Sequence, residues 1–202
     1  MSAARLAVTV GGLGLATALA LVARAMRPAA PLPVLGHVPV FQLEDERGTP
    51  FTDASMRGHA SVVDFIFTRC ASSCPRLTAR MADLQSRLAG ERSDVRLVSF
   101  SVDPENDTPE VLSRYSAKTH ADAMRWSFVT GSTDAVEKAV VMGFKMSAAK
   151  IAKAADDYDV VHGEWFVLVD PKGNLRGYYP TGTDEEFAAL LNDVRRVERE
   201  HS

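Results

Sequence analysis

The chain has 202 residues, 46% of them apolar and 24% charged, with a formal net charge of −3. That is enough for one domain with a substantial core and too little for two large ones. Residues 1–30 hold three arginines and no acid, so the rest of the chain carries −6, which lacks the basic patch of a nucleic-acid-binding protein.

Leu6 to Ala23 is an uncharged, mostly apolar run of 18 residues, bracketed by Arg5 and by Arg24 and Arg27. It is just long enough to cross a bilayer. It also has the form of a secretory signal, with Ala18-Leu19-Ala20 and Ala23-Arg24-Ala25 as cleavage candidates. Arginines directly after the apolar run favour an uncleaved anchor. Residues 1–27 are therefore expected to be a membrane anchor or uncleaved signal, 28–37 a Pro/Ala-rich tether, and 38–202 a folded domain on the oxidising side of a membrane.

Within that domain, Val38 to Thr52 alternates around Glu46-Arg47-Gly48 and predicts a hairpin. Val62 to Thr68 is an apolar run rich in β-branched and aromatic residues, as in a buried strand. Pro75 suits the first turn of a helix, and Leu77, Met81, Leu84 and Leu88 follow on one face. Val95 to Val102 predicts a central strand. Asp107 or Thr108 can cap a helix that opens with Pro109 and Glu110. Trp126 to Val129 predicts a short strand, and Ser132 or Thr133 caps a helix ending near Gly143. Met146 to Asp157 has no clear period and is expected to be a loop. Val160-Val161-His162 enters a new strand that continues through Trp165 to Val169. Asp170 to Asn174 is a strong turn signal, then come a strand over Leu175 to Tyr179 and a last helix capped by Thr183. The order predicts an α/β domain with a central mixed, mostly parallel sheet flanked by helices and carrying an N-terminal hairpin. Functional residues are then expected at the carboxyl ends of its strands.

Cys70 and Cys74, the two cysteines of the chain, sit at such a strand-to-helix junction. A helix N-terminus carries partial positive charge, so a thiolate there is expected to be stabilised and its pKa lowered. Two thiols four residues apart can close into a disulfide or chelate a soft metal. The plainer alternative is a structural disulfide or a pair of inert core thiols. A structural zinc or an iron–sulfur cluster wants about four ligands, and no further cysteines supply them; monovalent copper needs two or three soft donors, which favours copper. A third donor is expected from histidine. His37, His59 and His201 read as solvated surface residues, and His120 as a cation closing a helix. His162 interrupts an apolar stretch beside Gly163; it is either an ordinary strand-edge histidine or the third ligand. Met81 reads as core, and nothing singles out Met142 or Met146. Asp103 and Glu164 could orient a ligand, but read better as capping residues.

Three stretches together resemble the Sco/SenC family, from about Val38 to the chain end: DFIFTRCASSCPRLTARMADLQ, with its Cys-x3-Cys-Pro; SVDPENDTPEVLSRYS; and DYDVVHGEWFVLVDPKGNLRGYY, with the distal histidine. The resemblance implies a membrane-tethered thioredoxin-like domain facing the periplasm or its equivalent. It also implies one copper, Cu(I) or Cu(II), bound by Cys70, Cys74 and His162. Such proteins help to metallate the binuclear copper centre of cytochrome c oxidase, so the implied partner is its copper-accepting subunit or another cuproprotein. The chain departs from the family at Ala71-Ser72-Ser73, where Pro-Asp-Val is usual. Losing that acid should lower thiol pKa and slightly reduce attraction for a cation. Two function classes follow: a copper chaperone that passes metal by ligand exchange, and a thiol–disulfide oxidoreductase with Cys70 and Cys74 as its redox-active pair. The second leaves His162 idle and has three residues between its cysteines where two are ordinary. A peroxidase or redox sensor using one cysteine lacks the expected arginine-plus-threonine surroundings.

Overall fold

The computed structural model describes residues 30–70, 74–91, 93–145 and 165–201. The sequence from Leu32 to Ser202 forms one compact unit. In order its elements are β1 (Gly36–His37), β2 (Gln42–Asp45), β3 (Pro50–Thr52), a 3-10 turn (Asp53–Met56), β4 (Ser61–Ile66), α1 (Cys74–Ala89), β5 (Arg96–Ser101), α2 (Pro109–Lys118), β6 (Trp126–Thr130), α3 (Thr133–Glu137), β7 (Trp165–Val169), β8 (Asn174–Pro180) and α4 (Asp184–His201). A π-helical turn, Lys138–Gly143, directly extends α3. Among the described residues no helix is long and apolar enough to cross a membrane; the Leu6–Ala23 run lies outside them.

The helices arise where the periodicity placed them. Leu77, Met81, Leu84 and Leu88 of α1 are buried, as are Phe187, Leu190, Leu191 and Val194 of α4. The Ser132 side chain caps α3 by accepting from the Ala135 N–H. Thr183 and Glu186 bond reciprocally at the start of α4, with Thr183 N–H donating to Glu186 Oε2 at 2.9 Å and Glu186 N–H to Thr183 Oγ1 at 3.2 Å, a capping box. The expected N-terminal hairpin is β2–β3. Its turn runs through Gly48 at φ 71°, a left-handed conformation that glycine adopts without steric cost.

The eight strands form one sheet in the order β1-β8-β7-β4-β5-β6-β2-β3. It is mixed and flanked by helices, as expected. The expectation of a mostly parallel sheet is corrected: β4–β5 and β5–β6 are parallel, whereas β1–β8, β8–β7, β7–β4, β6–β2 and β2–β3 are antiparallel. Two crossovers, through α1 and α2, make parallel neighbours as βαβ units must. After Gly143 the chain re-enters on the other side of β4 and runs the reverse way as β7. Alternation of elements along the chain does not encode that direction.

Register sets what faces what. Asp64, Ser99 and Phe128 lie opposite one another across β4, β5 and β6, as do Phe65, Phe100 and Val129 in the adjacent row. Neighbouring residues on a strand point to opposite faces. The Tyr115 ring of α2 meets Phe128 edge-on at 5.8 Å, and α2 joins α1 through the 2.8 Å Thr78–Tyr115 hydroxyl pair. Asp64 therefore faces the α1–α2 layer. Behind the sheet, Phe144 packs on Phe65 and Phe100 with ring centroids 5.5 and 5.2 Å apart. On that side a Cβ at Gly143 would overlap Cγ and Cδ of Pro39. Because a proline ring cannot swing aside, Gly143→Ala is expected to destabilise the fold by about 1–3 kcal/mol. Urea denaturation measures this, and an unchanged midpoint would show that the Pro39 segment yields freely.

Candidate metal centre

β4 is buried along its whole length and delivers the chain to Phe67, Thr68, Arg69 and Cys70. The Cys70 N–H turns back to the Phe67 carbonyl at 3.2 Å, and α1 begins at Cys74 itself. The Cys74 N–H donates to Cys70 Sγ at 3.3 Å. The unpaired amides of a helix's first turn thus serve the preceding cysteine. Both cysteines are buried. Cys70 is 9% exposed and Cys74 1%, so Cys70 is the sulfur that a ligand from outside reaches first. It lines a cleft of about 320 Å³ with Thr68, Pro75, Thr78, Tyr115 and Lys118.

The expected lowering of thiol pKa is corrected at Cys74. Burial pushes this thiol well above its usual range, against a backbone hydrogen bond to Phe67, and Cys70 and Asp64 push it further the same way. A helix terminus is worth about 1 kcal/mol or less at most sites, and desolvation of a buried group outweighs it.

The loop carrying Cys70 is held from β5. Parallel pairing places Ile66 beside Ser101, and the Val102 N–H reaches the Ile66 carbonyl at 2.8 Å, so the loops after β4 and β5 emerge side by side. Asp107, fully buried, accepts from Thr68 N–H at 3.1 Å, from Thr68 Oγ1 at 2.5 Å and from Ser101 Oγ at 2.6 Å. Its carboxyl sits above the usual range because burial outweighs those bonds. Sequence reasoning read Asp107 or Thr108 as a helix cap. Thr108 occupies the N-cap position of α2 without a side-chain cap bond, and Asp107 points to the cysteine loop. Asp103, read as a capping residue, does accept Asn106 N–H and Asp107 N–H at its carbonyl. Its carboxylate also pairs with Arg69 at 2.7 Å, next to Cys70.

Of the expected ligands, Cys70 and Cys74 come together; His162 lies outside the described residues, with Met146, Val160, Val161 and Glu164. Among the described residues no group of three or more His, Cys, Asp or Glu is arranged to hold a metal ion. His59 is bonded to Asp94 at 2.7 Å. His201, expected to be solvated, donates from Nδ1 to the Val197 carbonyl at 2.9 Å and is only 17% exposed along its side chain. His120 takes a left-handed φ of 56° just beyond α2. Met81 is core, and Met142 is 73% exposed. Two adjacent thiols form a soft donor set suited to monovalent copper and short of what a structural zinc requires.

The SCO1/SenC family model matches residues 34–197. The SCO1 protein homolog of Bacillus subtilis is 35% identical over 164 residues, covering 81% of this chain and 83% of that protein. Among solved structures, BsSco, a member of the Sco family of cytochrome c oxidase assembly proteins with an identified disulfide switch, superposes with a TM-score of 0.72. It has 33% identity and covers 83% of this chain and 98% of its own. Yeast Sco1 with copper bound superposes with a TM-score of 0.66 at 26% identity, covering 81% of this chain and 90% of its own.

Proposed function

The chain belongs to the SCO1/SenC family, and from that premise we propose that it is a copper-binding protein of cytochrome c oxidase assembly, holding one copper through Cys70, Cys74 and His162. The observation that carries this reading is the Cys74 N–H donated to Cys70 Sγ at 3.3 Å, which sets two soft donors at one helix N-terminus. Cys70, at the cleft, is the sulfur that exchanges first with an incoming ligand. Cys74, sealed in the first turn of α1, holds the metal from the protein side. The recipient on this reading is a copper-accepting subunit of cytochrome c oxidase or another cuproprotein. Leu6–Ala23 is the membrane anchor, keeping the domain on the periplasmic or extracytoplasmic side.

Copper stoichiometry of the full chain tests the reading, measured alongside Cys70→Ser/Cys74→Ser and His162→Ala. We expect one copper per wild-type chain and none in the double serine variant. His162→Ala is expected to weaken binding by more than the roughly 10–100-fold that loss of an outer partner costs. A fully reduced wild type that takes up no copper would sink the proposal and leave the thiol–disulfide oxidoreductase.

A further inference from the structure

Asp64 is fully buried in the middle of β4, and among the described residues neither of its carboxylate oxygens has a hydrogen-bond partner. Its register neighbour Ser99 accepts from Trp126 Nε1 at 2.9 Å and stays short of hydrogen-bond geometry with the carboxylate. An unpartnered buried carboxyl is costly, and asparagine or leucine would fill the position at lower cost. The group also lies close to the cysteine site. It faces the α1–α2 layer that contains Cys74, and by strand rise it stands about 10 Å along the chain from Phe67, where the cysteine loop begins. The residues between the cysteines, Ala71-Ser72-Ser73, carry no charge.

We propose that Asp64 is a specificity-determining residue of the copper site, its buried carboxylate favouring the cupric over the cuprous ion. The inference rests on the copper reading above. Two thiolates around Cu(I) carry a net charge of −1, and around Cu(II) a net charge of zero, and any neutral third donor leaves both values unchanged. A fixed anion behind Cys74 repels the first assembly and leaves the second untouched, so Asp64 lowers Cu(I) affinity relative to Cu(II). The titratable groups whose fields meet that of Asp64 are Cys74 on α1 and Tyr115 on α2, and Cys70 acts on both of those. β5 and β6 face it with the neutral Ser99 and Trp126, and β7 with Leu168, which pairs with Val62 on the same face of the sheet. Burial pushes the Asp64 carboxyl up to about 7, opposed by the Ser99 hydroxyl, so the group is charged at pH 8 and largely neutral at pH 5.5.

The test is to measure Cu(I) and Cu(II) affinities of the full chain and of Asp64→Asn, by competition with chelators specific for each oxidation state, at pH 8 and pH 5.5. At pH 8 the variant is expected to shift the affinity ratio toward Cu(I) by about tenfold, the order of magnitude for one unit charge acting through an effective dielectric constant of ~20. At pH 5.5 wild type and variant should converge. Unfolding of the metal-free proteins supplies an independent readout. A carboxyl whose folded pKa is raised loses stability as pH climbs from about 4 to about 7, so Asp64→Asn should gain stability over wild type across that window. Asp64→Leu should reproduce both results. Equal weakening of both copper affinities would mark Asp64 as merely structural, and an unchanged ratio would overturn the assignment. A wild type that binds neither ion would instead fail the copper reading itself.

Discussion

Arg176→Met is expected to lower the unfolding free energy by about 3 kcal/mol, the low end of the cost of breaking a buried ion pair, because Asp170 is buried and Glu200 only half-buried. The Arg176 side chain is 5% exposed. Its Nη1 donates to Asp170 Oδ2 at 2.9 Å, its Nη2 to Glu200 Oε2 and to the Leu32 carbonyl at 2.6 Å each, and its Nε to the Pro33 carbonyl at 3.3 Å. The Leu32 N–H returns to Glu200 Oε1 at 3.1 Å. One guanidinium thus joins β8, the turn after β7, the last turn of α4 and the chain entering β1. Burial alone would raise the Asp170 carboxyl, but bonds from Asn174, Arg176 and Lys172 hold it below the usual range. Glu200 is likewise held low, with the Arg176 bond and the Leu32 N–H overcoming desolvation. A depressed carboxylate stabilises the fold above its unfolded pKa, and that stability is lost as pH falls through the folded value. Wild type should therefore weaken below about pH 4, while the variant, whose stranded acids are relieved by protonation, should not. The gap between the two then narrows in acid. Urea titrations at pH 7 and pH 3.5 measure this, and a gap that stays constant would show that the arginine acts through packing alone.

The second large effect is expected at Asp107. Asp107→Ala strands the Thr68 N–H and the Thr68 and Ser101 hydroxyls inside the protein, at a cost of about 2–3 kcal/mol. It also frees the loop that presents Cys70, so copper binding should weaken by more than the stability loss alone would produce in a chain still folded at 25 °C. Asp107→Asn keeps one carbonyl acceptor for the Thr68 N–H and should recover part of both losses. Denaturant unfolding and copper competition, run on the same variants, separate the two effects. Unaltered copper affinity in a destabilised Asp107→Ala would show that Cys70 is placed without the β5 loop.

Much of this molecule is local and was legible as such. The period-3.6 stripe of α1, the Pro75 start, the Thr183 cap, the Asp170 turn and the β2–β3 hairpin are each specified by residues within a few positions of one another, so the linear chain displays them. The meeting of Cys70 with Cys74 belongs to the same class, because a strand end followed by a helix start brings residues four apart together. Family membership was legible for a related reason, since its signatures are short runs around those junctions.

What the tertiary structure decided is everything that depends on distant strands and on burial. That β7 runs against β4 follows from where the chain re-enters the sheet. Asp107 locks Thr68 instead of capping α2 because parallel β4 and β5 set their loops side by side. The Cys74 thiol rises where the helix terminus alone would lower it, because desolvation is set by every element packed around it and the dipole by its own helix. Asp64 was visible as one charge in an apolar run, but its lack of a hydrogen-bond partner among the described residues is set only once β5, α1 and α2 close over it. The sequence by itself determined which segments become strands, turns and helices and which two sulfurs meet, through interactions spanning a few residues. The dielectric, the direction of each strand and the partner of each buried charge were decided by contacts between residues far apart in the chain.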